Sequence, residues 1–332
     1  MTVLVTGAAG FLGRNLVQNL LADGFTVAGV DNFITSDRRD VAALADAPGF
    51  EFAELDITAP AFAAFAAKLG PIEAVYHLAC PTGVPNNGPL AYEMMTTNYE
   101  GSKAVLEIAR AHGAPALLTS TAEVYGNPQV VPQSETYRGN VDPMGARKGY
   151  EEGKRAAEAL FAIYHDRFAV PAKVVRVFNT YGPCMCLDDT RVIPAFLKAA
   201  LSGQPLTMHG EGGQTRCYTY ASDMVSGIRL AMAKGTPARA YNLGSQQQVT
   251  VRELAELILR LTGSASPIVS IDRPSHDHDS RLPDTTRART ELGWRRVVEL
   301  EEGLRASIAD FRQRMRLGEE WEVREEAASR VA

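Results

Sequence analysis

The chain has 332 residues, 45% of them hydrophobic and 22% charged, which is typical of a folded globular protein and excludes a disordered or fibrous chain. Its 34 lysines and arginines stand against 39 aspartates and glutamates, a net charge of −5, so we expect no broad basic face for nucleic acid or an anionic membrane. Four cysteines are too few for a disulfide framework, and no run approaches the ~18 apolar residues of a membrane helix, which favours a cytoplasmic location.

Short β-branched runs alternate with amphipathic stretches through the first half of the chain. The opening residues, MTVLVTGAAGFLG, already predict a strand, so we expect no secretory signal ahead of the fold. The alternation predicts βαβ units, and hence an α/β fold with a Rossmann-type, doubly wound parallel sheet. The predicted strands are Thr2–Thr6, Thr26–Asp31, Glu51–Asp56, Ala74–Leu78, Ala116–Ser120 and Lys173–Phe178, and the predicted helices are Phe11–Leu21, Tyr92–His112 and Tyr150–Phe168.

After Asn179 the pattern changes, because prolines and glycines break the chain into shorter pieces. Helices are predicted near Arg191–Leu201, Ser222–Ala233, Val251–Thr262 and Leu300–Met315. We therefore predict a Rossmann domain over residues 1–179, to which parts of 215–250 return. A smaller, mostly C-terminal substrate-binding lobe is predicted over residues 180–315, followed by a charged tail over residues 316–332.

Three glycines, Gly7, Gly10 and Gly13, follow the first predicted strand and open the first helix. They let the backbone approach a pyrophosphate, which sits on the unpaired N–H groups of a helix N-terminus. Asp31 ends the second strand, where a carboxylate accepts hydrogen bonds from the adenosine ribose and repels a 2′-phosphate. The pattern predicts NAD as cofactor; the alternative is a helix start that uses glycine only for close packing. Asp56, which ends the third strand, is either an adenine contact or a turn residue.

Tyr150 and Lys154 are four residues apart, on one face of a predicted helix. A nearby ammonium group stabilises phenolate, so Tyr150 is a candidate acid or base although the reference pKa of tyrosine is ~10. This spacing often occurs by chance. Upstream, however, Thr121 and Glu123 follow another strand at the carboxyl edge of the sheet, where the sites of α/β proteins lie. Together with the glycine loop, these residues predict an active site.

At these residues the chain resembles the extended short-chain dehydrogenase/reductases that modify nucleotide sugars, the NAD-dependent nucleotide-sugar epimerase/dehydratase family. The resemblance runs from Thr2 to about Arg312. It is strongest to the UDP-glucuronate decarboxylases. The motifs that carry it include the glycine loop, His77-Leu-Ala, Asn98, Ser120-Thr121-x-Glu123-Val-Tyr-Gly, Pro132-Gln-Ser-Glu135, Asn140-Val-Asp-Pro143, Tyr150-x-x-x-Lys154-Arg155, Arg176-Val-Phe-Asn179, Gln214-Thr-Arg216, Asn242-Leu-Gly244 and Arg281-x-Pro-Asp284.

The resemblance implies roles for individual residues. Thr121 and Tyr150 would bracket the sugar 4-hydroxyl, and Tyr150 would remove its proton as hydride passes from C4 to NAD⁺. Lys154 would hold the nicotinamide ribose and lower the pKa of Tyr150. The implied cofactor-binding residues are Gly7, Gly10, Phe11, Leu12, Gly13, Asp31, Asn32, Asp56, Ile57, Leu78, Ala79, Asn98, Tyr150 and Lys154. The implied substrate-binding residues are Pro81, Glu123, Arg147, Asn179, Arg191, Arg216 and Arg281.

A 4-keto sugar has acidified neighbouring positions, so CO₂ or a C5 proton can leave before the hydride returns. In the family, decarboxylases and dehydratases carry a glutamate where this chain has Glu123, which implies a role for it after oxidation. Three positions differ from the decarboxylase pattern: Ala122 replaces a serine, Thr96 a lysine and Cys184 an arginine. Because cations offset the desolvation of a carboxylate-bearing sugar, decarboxylation, 4,6-dehydration and epimerisation all stay open. A non-catalytic NAD-sensing regulator is a remote alternative.

The resemblance implies a nucleotide-diphosphate sugar as substrate, most simply a UDP-sugar, and a homodimer formed by the two long helices Tyr92–His112 and Tyr150–Phe168. No nucleic acid, membrane or metal partner is expected. Cys184 and Cys186 lack the paired spacing of a metal site, and His276 and His278 are interpreted as part of a solvated loop. His77 is predicted to be structural rather than a proton carrier.

Overall fold

A computed structural model describes residues 2–272 and 281–329, with side chains described for residues 2–42, 44–272 and 281–316. Strands are β1 (Thr2–Thr6), β2 (Thr26–Asp31), β3 (Phe50–Glu54), β4 (Ile72–His77), β5 (Ala116–Thr121), β6 (Ala172–Val177), β7 (Thr180–Tyr181), β8 (Leu206–His209), β9 (Thr215–Cys217), β10 (Thr219–Tyr220), β11 (Ala240–Leu243), β12 (Gln248–Thr250) and β13 (Ile268–Ile271). Helices are α1 (Phe11–Ala22), α2 (Arg38–Ala45), α3 (Pro60–Ala66), α4 (Ala91–Thr96), α5 (Ser102–His112), α6 (Lys148–Phe168), α7 (Val192–Leu201), α8 (Ala221–Lys234), α9 (Val251–Thr262) and α10 (Leu300–Ser329).

Within the described residues, seven strands form a parallel sheet in the order β11-β6-β5-β4-β1-β2-β3. The strand order reverses between β1 and β4, and ligands of open α/β sheets bind at the carboxyl ends of the strands on either side of such a point. The sequence explains the central strands, because a strand covered on both faces needs a continuous apolar run. Val3, Leu4 and Val5 of β1 are all buried. The predicted Rossmann-type α/β fold is confirmed.

Helices cover both faces of this sheet. On one face, α1 and α8 bury Leu16 and Ile228 in a core that includes Val5. On the other face, α3, α5 and α6 bury side chains such as Phe62 and Phe161. Because β11 and α8 follow residue 179 in the chain, the sheet and its helical layers draw on both halves of the sequence.

A separate apolar core lies among α7, α9, α10 and the short strands β8 and β13. Its fully buried residues include Leu197, Leu254 and Phe311. The short strands pair as β13 with β8 and β12 with β9. Among the described helices, none has the length and hydropathy needed to cross a membrane.

The helix predicted over Tyr92–His112 is present but interrupted. Between α4 and α5 lies a π-helical turn, Thr97–Gly101. A Cβ atom on Gly101 would lie 2.4 Å from Cδ1 of Ile57, so this turn passes unusually close to the loop after β3. Turns of this kind often occur at functional sites, and this one places Asn98 beneath the carboxyl edge of the sheet.

Candidate active site

A cavity lies along the carboxyl edge of the sheet, where the loops after β1 to β6 come together. Its position follows from the reversal of strand order between β1 and β4. The predicted residues that line it are Gly7, Gly10, Phe11, Leu12, Gly13, Asp31, Asn32, Asp56, Ile57, Leu78, Ala79, Pro81, Thr121, Glu123, Arg147, Tyr150, Lys154, Asn179, Arg191 and Arg281. The structure therefore brings together groups separated by up to 274 positions, from Gly7 to Arg281.

The glycine loop is shaped by close backbone contacts. Gly7 has a φ of +73°, and a Cβ atom on it would lie 2.7 Å from the amide nitrogen of Ala79. A Cβ atom on Gly13 would lie 1.9 Å from the carbonyl oxygen of Gly7. Gly10 is the N-cap of α1 and has no side chain to satisfy the first helical amides. These amides stay available at the cavity wall, as anion binding at a helix N-terminus requires.

The Asp31 carboxylate joins the glycine loop to the end of β2. One oxygen accepts the amide proton of Ala9 at 3.0 Å, and the other accepts from the amide of Phe33 at 2.9 Å and the hydroxyl of Ser36 at 3.0 Å. These bonds fix the carboxylate at the cavity edge, beside the loop that would hold a pyrophosphate. These residues fit the binding of NAD, the cofactor that the sequence predicts.

Asp56 lies across the cavity edge from Asp31 and is held by its own neighbours. Its carboxylate accepts from the amide and hydroxyl of Thr58, at 2.8 and 2.7 Å, and from the side-chain amide of Asn32 at 3.0 Å. Burial acts to raise the pKa of Asp56, but these hydrogen bonds outweigh it and keep the pKa below its usual value. The carboxylate is therefore ionised at neutral pH and available as an acceptor.

Tyr150 and Lys154 lie one turn apart near the start of α6, opposite Thr121 at the end of β5. The Lys154 ammonium is buried and donates to the carbonyl oxygen of Thr119 at 2.8 Å. Burial raises the pKa of Tyr150, as do Cys80 and Glu123, whereas a hydrogen bond with Thr121 lowers it. Burial therefore dominates the pKa of Tyr150, and the lowering effect expected of Lys154 stays a prediction.

Glu123 is held between two arginines. Arg147 Nη1 donates to Glu123 Oε2 at 2.7 Å, and Arg281 Nη2 donates to the same oxygen at 2.8 Å, while Arg281 Nη1 pairs with Oε1. The Arg281 side chain is 7% exposed, against about 22% for Glu123. The arrangement places an acid and two strong anion-binding groups within one wall of the cavity.

Glu151, the residue after Tyr150, is a buried carboxyl that the sequence did not single out. Burial and the charge of Glu123 raise its pKa to about 7, against the opposing effect of Arg147 and Arg281. Glu151 does not line the cavity among the residues described. Burial is the main cause of this raised pKa, and the charge of Glu123 adds to it.

Asn98 and Arg216 lie outside the described lining of the cavity. Asn98 is fully buried in the π-helical turn, where its side-chain amide donates to the Met94 carbonyl at 2.8 Å and to Cys80 Sγ at 3.1 Å. Arg216 donates to the Thr215 carbonyl at 2.8 Å. Their predicted contacts with cofactor and substrate stay predictions.

Several residues that line the cavity were missed, and Cys80 is one of them. Cys80 lies in the loop after β4, and burial raises the pKa of its thiol. Its position after His77-Leu-Ala, at the end of a predicted strand, was the available signal. His77 itself is buried and bonds Thr6 at 2.8 Å and Ser102 at 3.0 Å, and burial lowers its pKa to about 3. This pattern supports the structural role predicted for it.

No group of three or more His, Cys, Asp and Glu side chains in the described part of the chain could hold a metal ion. His276 and His278 lie outside the described residues. Cys184, partly buried, has its carbonyl oxygen bonded to Arg14 and its amide near Asp310, and it does not line the cavity as described.

Comparisons with known proteins agree with this geometry. Residues 3–244 match the model of the NAD dependent epimerase/dehydratase family. The chain is 41% identical over 318 residues to UDP-glucuronic acid decarboxylase 2 of Arabidopsis thaliana, covering 95% of this chain and 69% of that protein.

Solved structures of similar fold share a lower sequence identity with this chain. One is the UDP-glucose 4-epimerase of Thermotoga maritima, solved with UDP-glucose, with a TM-score of 0.87, 28% identity, and coverage of 95% of this chain and 100% of that one. Another is the UDP-glucuronic acid 4-epimerase of Bacillus cereus, in complex with UDP-glucuronic acid and NAD, with a TM-score of 0.84, 28% identity, and coverage of 94% and 99%.

Proposed function

The chain belongs to the NAD dependent epimerase/dehydratase family, and we propose that it acts as a UDP-glucuronate decarboxylase. It is an NAD-dependent enzyme of nucleotide-sugar metabolism, as its relatives are. The observation that carries the specific reaction is the wall formed by Glu123, Arg147 and Arg281 beside Thr121 and Tyr150. It combines a carboxylate with two arginines, of which Arg147 is placed to bind the carboxylate of an acidic sugar and Arg281 the diphosphate.

The cofactor is held by the glycine loop, Asp31 and Lys154 in this proposal. The first amides of α1 bind its pyrophosphate, and Asp31 accepts from the adenosine ribose. When bound, NAD⁺ takes up hydride from C4 and returns it, and its positive charge favours the phenolate of Tyr150. Lys154 is anchored on the Thr119 carbonyl, so its remaining N–H bonds can hold the nicotinamide ribose.

Oxidation requires a base at the sugar 4-hydroxyl. Tyr150 accepts that proton, and the Thr121 hydroxyl, which lies beside it, orients the sugar oxygen. The resulting 4-keto group lies β to the C6 carboxylate. Breaking the C5–C6 bond then releases CO₂ and leaves its electron pair as an enolate across C5, C4 and the C4 oxygen.

The arginines of the cavity bind the anionic groups of the substrate. Arg281 is proposed to face the diphosphate, with Asn179 on the sugar-side phosphate. Arg147 and Glu123 act at the C5 side, where a proton must be added after CO₂ leaves. Arg191 also lines the cavity, and its guanidinium makes three hydrogen bonds to the Asp189 carboxylate, at 3.1, 2.9 and 2.5 Å.

Thr96 and Cys184, two of the three positions that differ from the decarboxylase pattern, do not line this cavity among the residues described. The Thr96 hydroxyl donates back to the Tyr92 carbonyl of its own helix at 3.1 Å. Cys184 packs between Arg14 and Asp310. Neither residue lines the cavity in the described part of the chain. Their replacement therefore leaves Arg147, Arg191 and Arg281 in place to bind an acidic sugar.

Incubation with UDP-glucuronate tests the reaction. We expect release of one CO₂ per sugar and a neutral pentose nucleotide, measured by trapped CO₂ and mass spectrometry. A 4-epimer formed without CO₂, or turnover of UDP-glucose alone, would reject decarboxylation in favour of epimerisation or dehydration.

The Glu123→Gln variant tests the order of events. If Glu123 acts after oxidation, the variant still reduces bound NAD⁺ when substrate is added, visible near 340 nm, while finished product falls ~10²–10⁴-fold. The matched control is Glu256→Gln, because Glu256 is an exposed glutamate on α9. This control should keep full activity. Substantial product formation by Glu123→Gln would indicate a simple 4-epimerase instead.

The helices α4, α5 and α6 support a second proposal, that the protein is a homodimer. Four apolar side chains on these helices and on the π-helical turn between α4 and α5 are exposed, and we call this set the outer helical face. They are Tyr92, Met95, Tyr99 and Ile163. A second copy of the chain, packing the same helices against these residues, would remove them from water.

A further inference from the structure

A second cavity of about 510 Å³ lies behind α6, away from the active site. It is bounded by α6, the edge strand β11, the neighbouring strand β6, and the loop that carries Tyr137 and Arg138. It shares no described lining residue with the active-site cavity. We propose that this cavity binds a small organic molecule that carries a diphosphate or two phosphate groups, separate from the substrate.

The charge of the lining carries this proposal. Five arginines line the cavity against two glutamates, among the residues described, which leaves an excess of three positive charges in a protein whose net charge is −5. The arginines, named here the arginine cluster, are Arg138, Arg155, Arg176, Arg239 and Arg287.

Arg176, one member of the arginine cluster, has a structural role within the fold. Arg176 donates to Glu158 at 2.9 and 2.7 Å, to the Tyr125 hydroxyl at 2.9 Å and to the Glu135 carbonyl at 3.2 Å. With its donors satisfied within the fold, Arg176 and Glu158 form a structural pair. The proposal therefore rests on the other four arginines.

These four leave donors available. Arg138 is exposed, and its guanidinium makes no hydrogen bond or ion pair within the described residues. Arg287 donates through Nη1 to the Ala240 carbonyl at 2.7 Å and lies 3.9 Å from Glu135. This leaves the second terminal nitrogen of Arg287 without a described acceptor.

The two others are partly neutralised by acids outside the lining. Arg155 donates through one nitrogen to two carbonyl oxygens and lies 3.5 Å from Glu152, and Arg239 lies 3.0 Å from Glu291. Both arginines are at least two-fifths exposed at the rim, where a ligand reaches them without breaking a buried pair.

The rest of the lining indicates an organic ligand rather than a bare ion. Val124, Ala159, Ala162 and Val174 give apolar surface, and the Tyr137 ring is stacked on Tyr125 at an angle of 14°. Apolar walls with a few convergent cations are typical of sites for phosphorylated metabolites. Guanidinium groups bind phosphate oxygens in pairs.

Calorimetric titration tests the proposal. The protein is first saturated with NAD⁺ and UDP, which fill the active-site cavity, and inorganic pyrophosphate is then the probe. We expect one further binding event per chain. In the double variant Arg138→Gln/Arg239→Gln, whose side chains lie at the rim, pyrophosphate affinity should fall at least about tenfold.

Arg252→Gln/Arg305→Gln is the matched control, because it removes the same charge from exposed arginines on α9 and α10. Its pyrophosphate affinity should stay within about twofold of the unmodified protein, as expected for surface charges remote from the site. Absence of binding to the NAD⁺- and UDP-loaded protein, unchanged affinity in the rim variant, or an equal loss in the control would each overturn the proposal.

Discussion

Tyr150 stands in surroundings that oppose its own ionisation. It is buried, the neighbouring Glu123 carboxylate disfavours a second negative charge, and Lys154 is engaged with a backbone carbonyl. Its pKa therefore lies above the ordinary value for tyrosine, and at neutral pH the phenol keeps its proton. A tyrosine in this environment gains the phenolate form only when a positive charge is added to the cavity, which links proton removal to cofactor binding.

The Tyr150→Phe variant should fold normally and lose C4 oxidation. We expect a fall of ~10²–10⁴ in the rate of NAD⁺ reduction, because the change removes the phenol oxygen that is proposed to accept the proton. In the unmodified enzyme this rate should rise with pH from about 6 to 9, since the phenolate fraction grows toward a raised pKa. Single-turnover absorbance near 340 nm measures both quantities.

The control for this variant is Tyr92→Phe, which removes the same hydroxyl from an exposed helix position. It should keep the rate and the pH profile of the unmodified enzyme. If Tyr150→Phe retained more than about a tenth of the activity, or kept the rise with pH, another group would be the base.

Most single residues of the site could be predicted, but their pairings could not. The glycine loop, Asp31 and the Tyr150–Lys154 spacing follow from local patterns. The contact between Glu123 and Arg281 spans 158 positions and depends on the path of the chain after β13. Spacing along the sequence contains no information about that path, so only the family resemblance indicated Arg281.

At the scale of elements, strongly patterned segments were predicted within a few residues. Strands β1 and β2 and helix α9 have the predicted bounds, because apolar runs or a capping box mark their ends. Helices α2 and α3 were missed. Each has at most eight residues, too short for a helical period to stand out, and α3 is apolar almost throughout. Strand β11 is only four residues long and is defined by its pairing with β6.

The outer helical face predicts the behaviour of the whole helix pair in solution. Tyr92 is 76% exposed and Ile163 is 52% exposed, so a charged residue at such positions should not disturb the monomer fold but should oppose packing of a second copy. We expect the unmodified chain to be a dimer and Tyr99→Glu/Ile163→Glu to be a monomer, with light scattering after gel filtration at micromolar concentration as the measurement.

Val297→Glu provides a comparison, because Val297 is also 76% exposed but lies outside the outer helical face. This variant should stay dimeric. A monomeric unmodified chain, a dimeric helix variant, or loss of the dimer in Val297→Glu as well would show that these helices do not form the interface.

At the scale of the whole molecule, contacts between distant parts of the chain flank the cavity. Helix α1, which carries the glycine loop, is joined to the segment after β7: Asn15 donates to the Pro183 carbonyl at 3.0 Å, and Arg14 donates to that of Cys184. Arg281 approaches from the opposite side and pairs with Glu123. The proposed cofactor site therefore lies between the sheet edge and segments that these contacts hold in place.

From these contacts around the cavity, we predict that the purified protein retains NAD or NADH. An enzyme that returns its own hydride has no need to exchange the cofactor each turnover, so dissociation can be slow. Denaturing the protein and separating the released nucleotides should yield close to one dinucleotide per chain.

The Asp31→Ala variant should lose most of this bound dinucleotide and should discriminate less against NADP⁺, because the carboxylate that repels a 2′-phosphate is gone. Asp166→Ala, an exposed aspartate on α6, should retain it. An unmodified protein that released no dinucleotide and had no affinity for added NAD⁺ would contradict the prediction, and an unchanged cofactor preference in Asp31→Ala would place the selectivity on another residue.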